Sequence, residues 1–128
     1  MSPLARKLLI KPGNRVALVN APAGYAERLL PLPDGAQLVD LQRGLDVVQV
    51  FAHDRADLQR AAGAFRSIRE GGLLWVCYPK GGKKAGTDLN RDLLCQELGR
   101  TGLAGVTLVA VDETWSAMRF RPASEVGT

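Results

Sequence analysis

One histidine, two cysteines and an aromatic content of 5% leave this chain of 128 residues short of the side chains that most often carry chemistry. His53 is the lone histidine, and no Ser-His-Asp or Cys-His order suggests a nucleophile system. Cys77 and Cys95 have no metal-type partner at short spacing, so no metal site is assigned and both read as free, buried thiols. There is no RNA-binding aromatic signature, zinc-finger spacing or helix-turn-helix pattern. No apolar run approaches the roughly 20 residues that cross a bilayer, so no membrane partner is expected. The opening MSPLARKLLIKPG has too short an apolar run and no small-residue cleavage site to read as a signal peptide. With unpaired thiols, this points to a cytoplasmic location.

What is present suits a single domain, expected over residues 1–122, followed by a frayed tail at 123–128. Apolar residues make up 46% and charged residues 23%, an ordinary balance for a packed globule. The net charge of +4 weakly favours anionic partners. The arginines are spread along the chain. Only Lys80, Lys83 and Lys84 cluster, with Arg91 close by.

Ser2-Pro3 signals the start of a short helix, with Ser2 as cap and Pro3 in its first turn. RVALVN at 15–20 is aliphatic and β-branched, as expected of a buried strand. A loop at 21–24 and a short helix at 25–30 follow, stopped by Pro31 and Pro33. Residues 36–41 read as a short strand and 46–52 as a firmer one. Only 42–45 separates them, too little for an ordinary parallel crossover, so the first is either very short or antiparallel at an edge. A helix is expected at 55–70, capped by Asp54, with Leu58, Ala61, Ala62, Phe65 and Ile68 on one face and Gly71-Gly72 as its stop. A strand at 73–78 leads into the loop PKGGKKAG. A helix at 88–98 follows, with Thr87-Asp88 as its capping signal. The last strands, 106–111 and 114–121, are joined by Asp112-Glu113 as an antiparallel hairpin. Trp115, Ala117 and Arg119 share one face of the last strand, with Ser116, Met118 and Phe120 on the other. Both tryptophans, Trp75 and Trp115, read as core.

Strands alternating with helices imply an α/β fold: a three-layer, Rossmann-like, mostly parallel sheet ending in an antiparallel hairpin. The segments LLIKPGNRVALVN and EGGLLWVCYP and the terminal hairpin resemble parts of a class I S-adenosylmethionine methyltransferase domain, reduced in the middle as if one strand and its flanking helices were missing. The motifs IKPGNRVALVNAPAGY, LLWVCYPK, TDLNRD and DETWSAMRF are similar to a family of small bacterial proteins of unknown function, over about residues 10–122. That resemblance implies the reduced fold and no particular activity.

In such a sheet, ligands bind where strands end and helices begin. The methyltransferase resemblance puts S-adenosylmethionine beside Asn20, Gly24 and Asp40, with Asp40 on the ribose. The turn after the first strand has one glycine where GxGxxG would have three, and Pro22 removes an amide donor. GGKKAGT does not match GxxxxGK[ST], but its glycines and lysines would suit an anion at a helix N-terminus. The ordinary alternative is a solvated loop. His53 is a candidate general base or a surface histidine. Tyr78 would stack on a planar ligand. Asn90 and Arg91 would border the same edge. Asp112 and Glu113 are paired carboxylates or plain turn residues.

No catalytic residue is assigned, and the sequence leans away from an enzyme. Three functions are compatible with it. The first is a non-catalytic or regulatory module binding a small anionic or nucleotide-like ligand or a protein partner. The second is a small methyltransferase-like enzyme. The third is nucleic-acid binding through Lys80, Lys83, Lys84 and Arg91.

Overall fold

The computed structural model describes residues 1–125. It has six strands in one sheet: β1 (Arg15–Val19), β2 (Gln37–Leu38), β3 (Leu45–Phe51), β4 (Ile68–Pro79), β5 (Leu103–Ala110) and β6 (Trp115–Pro122). Their order is β2-β1-β3-β4-β6-β5. The first four strands run parallel, and β4-β6-β5 is antiparallel. The helices are α1 (Pro3–Lys7), α2 (Tyr25–Leu29), α3 (Arg55–Arg60) and α4 (Arg91–Gly99).

The layers follow from the alternation along β3 and β4. Val48, Val50, Leu74 and Val76 point to one face, where they join Leu58 of α3, Leu94 and Leu98 of α4, and Met118 and Phe120. Val47, Phe51, Trp75 and Cys77 point to the other, beneath Ala5 of α1 and Tyr25 and Leu29 of α2, beside Trp115 and Ala117. Strands apolar on both faces need a cover on each side. Trp75 is fixed by its Nε1, which donates to Leu8 O at 3.0 Å, and Phe51 meets Tyr25 and Trp115 edge-on at 4.6 and 5.1 Å. One polar group interrupts this core. Gln49 Nε2 donates to Tyr25 Oη at 2.6 Å and to Cys77 Sγ at 3.2 Å. Burial pushes the Cys77 thiol up to about 12. Cys95 is exposed, contrary to the expectation of two buried thiols.

Several boundaries depart from the sequence reading, among them that of β5, which begins at Leu103 and not at 106. Strand β2 has two residues and pairs parallel to β1 through Arg15↔Gln37 and Val16↔Leu38. Because it is so short, a coil from 39 to 44 suffices to bring the chain back past β1 to β3. The expected helix at 55–70 ends as α3 at Arg60. A 3-10 turn (Ala62–Arg66) follows, and Ile68 already pairs with Leu45 as the start of β4. Gly71-Gly72 therefore lies inside a strand, in an irregular step between the pairs Leu45↔Ile68 and Val47↔Leu73. The cap of α4 is Asn90, whose Oδ1 accepts from Leu93 N at 2.8 Å, and not Thr87-Asp88. The expected tail at 123–128 begins with a 3-10 turn (Ala123–Glu125), and 126–128 lie outside the described residues. Asp54 caps α3 as expected, accepting from Asp57 N at 2.8 Å.

The hairpin is tied to the rest by Asp112. Its Oδ1 accepts from the amides of Thr114 and Trp115, both at 2.7 Å, and its Oδ2 accepts from Arg28 of α2 at 2.8 Å. Burial alone would raise this carboxyl. The Arg28 bond and the two amides outweigh it and hold it below its ordinary 3.8. Asp112 is thus a turn and anchor residue, not half of a carboxylate pair.

Two outcomes follow. A Cβ at Gly72 would lie 3.0 Å from Arg69 O and 3.1 Å from both Asp46 O and Leu45 O, whereas one at Gly63 would meet nothing within 4 Å. In urea denaturation Gly72→Ala is expected to lose about 1–3 kcal/mol, and Gly63→Ala to lose nothing. Asp112→Ala is expected to lose about 2 kcal/mol at neutral pH, and Asp112→Asn, which keeps the Oδ1 acceptor, about 0.5 kcal/mol. Because its folded value lies below 3.8, the Asp112 contribution is complete above that pH and is lost as pH falls through the folded value. The gap between wild type and Asp112→Asn should be constant at neutral pH and close in acid.

Candidate carboxyl-edge site

The carboxyl ends of β1, β3 and β4 lie side by side, so the loops that follow them share one edge of the sheet. After β1, Asn20 takes a left-handed conformation, with φ 59°. Its Nδ2 donates to Phe51 O at 3.0 Å, tying the end of β1 to that of β3. Gly24 begins α2 with φ 81°, a conformation that favours glycine. Asp40 is exposed beyond the two-residue β2, and its side chain makes no bond among the described residues.

After β3, His53 stands with its ring edge-on to Trp115 at 4.9 Å. Its amide donates to Asp57 Oδ2 at 3.0 Å, and its Nδ1 lies 3.2 Å from the same oxygen. Asp57 Oδ1 also accepts from Arg60. The His53 amide is the main cause of a lowered Asp57 carboxyl; burial opposes it, and Arg60 adds to it. Asp57 is therefore a fixed carboxylate with its lone pairs in use.

After β4, Tyr78 departs from the expectation of an exposed stacking platform. It is 7% exposed and packs with Leu89 and Leu94 in the core, where burial raises its phenol. Lys80 is half-buried, and its amide donates to Thr114 O at 2.8 Å, joining this loop to the hairpin. Lys83 and Lys84 are exposed on a 3-10 turn (Gly82–Ala85), flanked by Gly81 at φ 93° and Gly86 at φ 76°. Thr87 Oγ1 accepts from Leu89 N at 3.0 Å. Asp88 Oδ1 accepts from Arg55 N at 2.8 Å, so the loop is pinned to the first turn of α3. Asn90, expected to border this edge, uses its side chain as the α4 cap. Arg91 is exposed, 3.8 Å from Asp92.

The ten predicted residues do not line one pocket. Lys83 and Asn90 line a cleft of about 420 Å³, together with Gly82, Gly86, Thr87 and Asp88. Asn20 lines a smaller hollow of about 230 Å³ with Val19, Asp57, Arg60 and Ala61. Arg91 faces a third, beside the hairpin. Sequence reasoning missed Asp57 and Arg60, which an i, i+3 acid-base pair on a helix could have signalled, and Gln49, the one polar residue inside DVVQVFA.

S-adenosylmethionine fits this edge poorly. The hollow between β1 and α3 is below the ~300 Å³ at which pockets for small organic ligands begin. Pro22 and the bonded Asn20 side chain occupy the turn where amides would face it, and Asp40 is not held by a strand.

No protein-family model and no curated protein matches the sequence. Solved structures do share its fold. A SAM-dependent methyltransferase from Aquifex aeolicus superposes with a TM-score of 0.61 at 11% identity, covering 91% of this chain and 88% of that one. DhpI in complex with S-adenosylhomocysteine gives 0.58 at 14%, covering 94% and 83%. A SAM-dependent methyltransferase from Thiobacillus denitrificans, also with S-adenosylhomocysteine, gives 0.55 at 11%, covering 93% and 89%. The chain has a reduced Rossmann-like fold of the class I methyltransferase type.

Proposed function

We propose that the protein is a binding module rather than a methyl-transferring enzyme, and that it takes a small anionic or nucleotide-like ligand at its carboxyl edge. The observation that carries this reading is the cleft of about 420 Å³ between β4 and α4. It falls within the size range of small-molecule pockets, and its rim carries Lys83, with Lys84 on the same exposed turn. Gly81, Gly82 and Gly86 all have positive φ, which keeps this loop in a path that other residues rarely follow.

Three of the carboxylates at this edge are already engaged. Asp57 holds the His53 amide and Arg60; Asp88 holds the Arg55 amide; Asp112 holds Arg28 and the hairpin turn. A general base must be within reach of a substrate proton and able to take it. Carboxylates spent on structural donors suit recognition and rigidity better.

Thermal-shift measurements with adenine and guanine nucleotides check the reading. A ligand at about one hundred times its Kd adds ~2.7 kcal/mol to stability, a Tm rise of roughly 10 °C. The double variant Lys83→Glu/Lys84→Glu is expected to lose most of that rise. No rise with any nucleotide would leave only a protein partner for this edge.

The fold likeness favours one second reading, a small methyltransferase-like enzyme holding S-adenosylmethionine beside Asn20, Gly24 and Asp40. Calorimetry with millimolar S-adenosylmethionine is expected to show no binding heat; saturable heat lost in Asp40→Ala would reverse the order of the two readings.

A further inference from the structure

The sheet ends in two lateral edges, and they are guarded unequally. At one, β2 has two residues, too few to template another strand. At the other, β5 has eight, and no strand of the sheet lies beyond it. Its sequence, LAGVTLVA, contains neither a charged residue nor a proline, the side chains that most often keep an edge from pairing. Its one irregularity is a register shift between Gly105 and Thr107. From Thr107 to Ala110 the pairing with β6 is regular.

The alternation of the ladder fixes which backbone groups of β5 are free. Val111 N donates to Trp115 O at 3.0 Å, so Val111 faces β6. In an antiparallel pair every second residue exchanges bonds with the neighbour. Val109 and Thr107 therefore turn their N–H and C=O toward β6, and Leu108 and Ala110 turn theirs outward. Gly105–Leu108 are exposed without interruption, Val106 by 38% and Leu108 by 46%. Both of these side chains line the hollow beside α4 that also holds Cys95 and Met118, so they share the α4 face of the sheet. Arg91, at the start of α4, lines that hollow too. Its neighbour Asp92 has a side chain 91% exposed, and the two meet only at 3.8 Å. The edge thus offers unpaired backbone groups, two unburied apolar side chains, and one loosely held charge of each sign.

We propose that β5 is a dimerisation edge, occupied by β5 of a second copy of this chain running antiparallel to it. A two-fold axis at Leu108 lets the two Leu108 residues exchange both backbone bonds and sets Val106 of each copy opposite Ala110 of the other. The Val106 and Leu108 side chains of both copies then form one apolar cluster on the α4 face, as cross-strand pairs do within a sheet. The axis also passes the start of α4, where Arg91 of each copy takes Asp92 of the other. A foreign strand would supply the backbone bonds without this match of charges. An isologous contact closes on itself, so assembly stops at two copies. The joined sheet then ends on both sides in the two-residue β2, the edge that resists further pairing.

Sedimentation velocity of the full chain over a concentration series is expected to show a monomer–dimer equilibrium. Leu108→Lys sets two ammonium groups face to face and removes two leucines from the contact. It should weaken the dimer about a hundredfold and leave the circular dichroism spectrum unchanged, because the position is exposed in the monomer. The register has its own test, made in the Cys95→Ser background because Cys95 is an exposed thiol. Facing residues of a bonded antiparallel pair have Cα atoms about 5.5 Å apart, within disulfide range. Under mild oxidation the thiols introduced by Leu108→Cys should therefore link two chains, whereas those of Lys7→Cys, exposed on α1, should not. A chain that stays monomeric at every concentration overturns the proposal and leaves the edge to a strand of another protein. A dimer that Leu108→Lys leaves intact, an assembly that grows past two copies, or Leu108→Cys thiols that fail to link overturn it as well.

Discussion

Strands β3 and β4 carry buried side chains on both of their faces, and most of the architecture is an answer to that. A strand with one wet face would be satisfied by a single layer of helices. Here Val48, Val50, Leu74 and Val76 require α3 and α4, while Val47, Phe51, Trp75 and Cys77 require α1 and α2. The chain has few residues with which to meet both demands. It saves them at the edge, where β2 has only two residues, and in the coil that returns directly to β3. Removing the middle of a larger fold costs little when what is removed lies outside the two strands that hold the core.

The same economy shapes the carboxyl edge. Short helices and short loops leave many exposed helix termini and turn amides, and the acidic side chains nearby are drawn into satisfying them. Asp54, Asp88 and Asp112 each accept from backbone amides, and Asp57 accepts from the His53 amide. An edge built this way is well ordered and poor in free acid-base groups. The loop Gly81–Gly86 is the exception, since the side chains of its lysines bond to nothing among the described residues.

Much of this fold was legible because β3, β4 and the hairpin announce themselves by composition and by alternation; the facing of Trp115 and Ala117 against Met118 and Phe120 follows from period two alone. The misread boundaries share a cause. Leu58, Ala61, Ala62, Phe65 and Ile68 do fall at helical spacing, but Ile68 has a better partner in Leu45 of the neighbouring strand, and a local pattern does not see it. In Thr87-Asp88-Leu89-Asn90, three residues in four are good caps. The choice is made by Leu89, which is 1% exposed and draws the chain inward before the helix begins. The site was less legible than the fold. Tyr78 and Asn90 have the right chemistry and the right edge, but packing and capping claim them first.

The two thiols divide the chain's behaviour between them. Cys77 is sealed under α1 and α2, bonded to Gln49 and raised to about 12, so an alkylating reagent reaches it only when the central sheet opens. Cys95 lies on the exposed side of α4, 3.7 Å from Met118 Sδ, and is within reach of the reagent in the native protein. One molecule therefore carries both a clock for its own unfolding and the reference against which that clock is read.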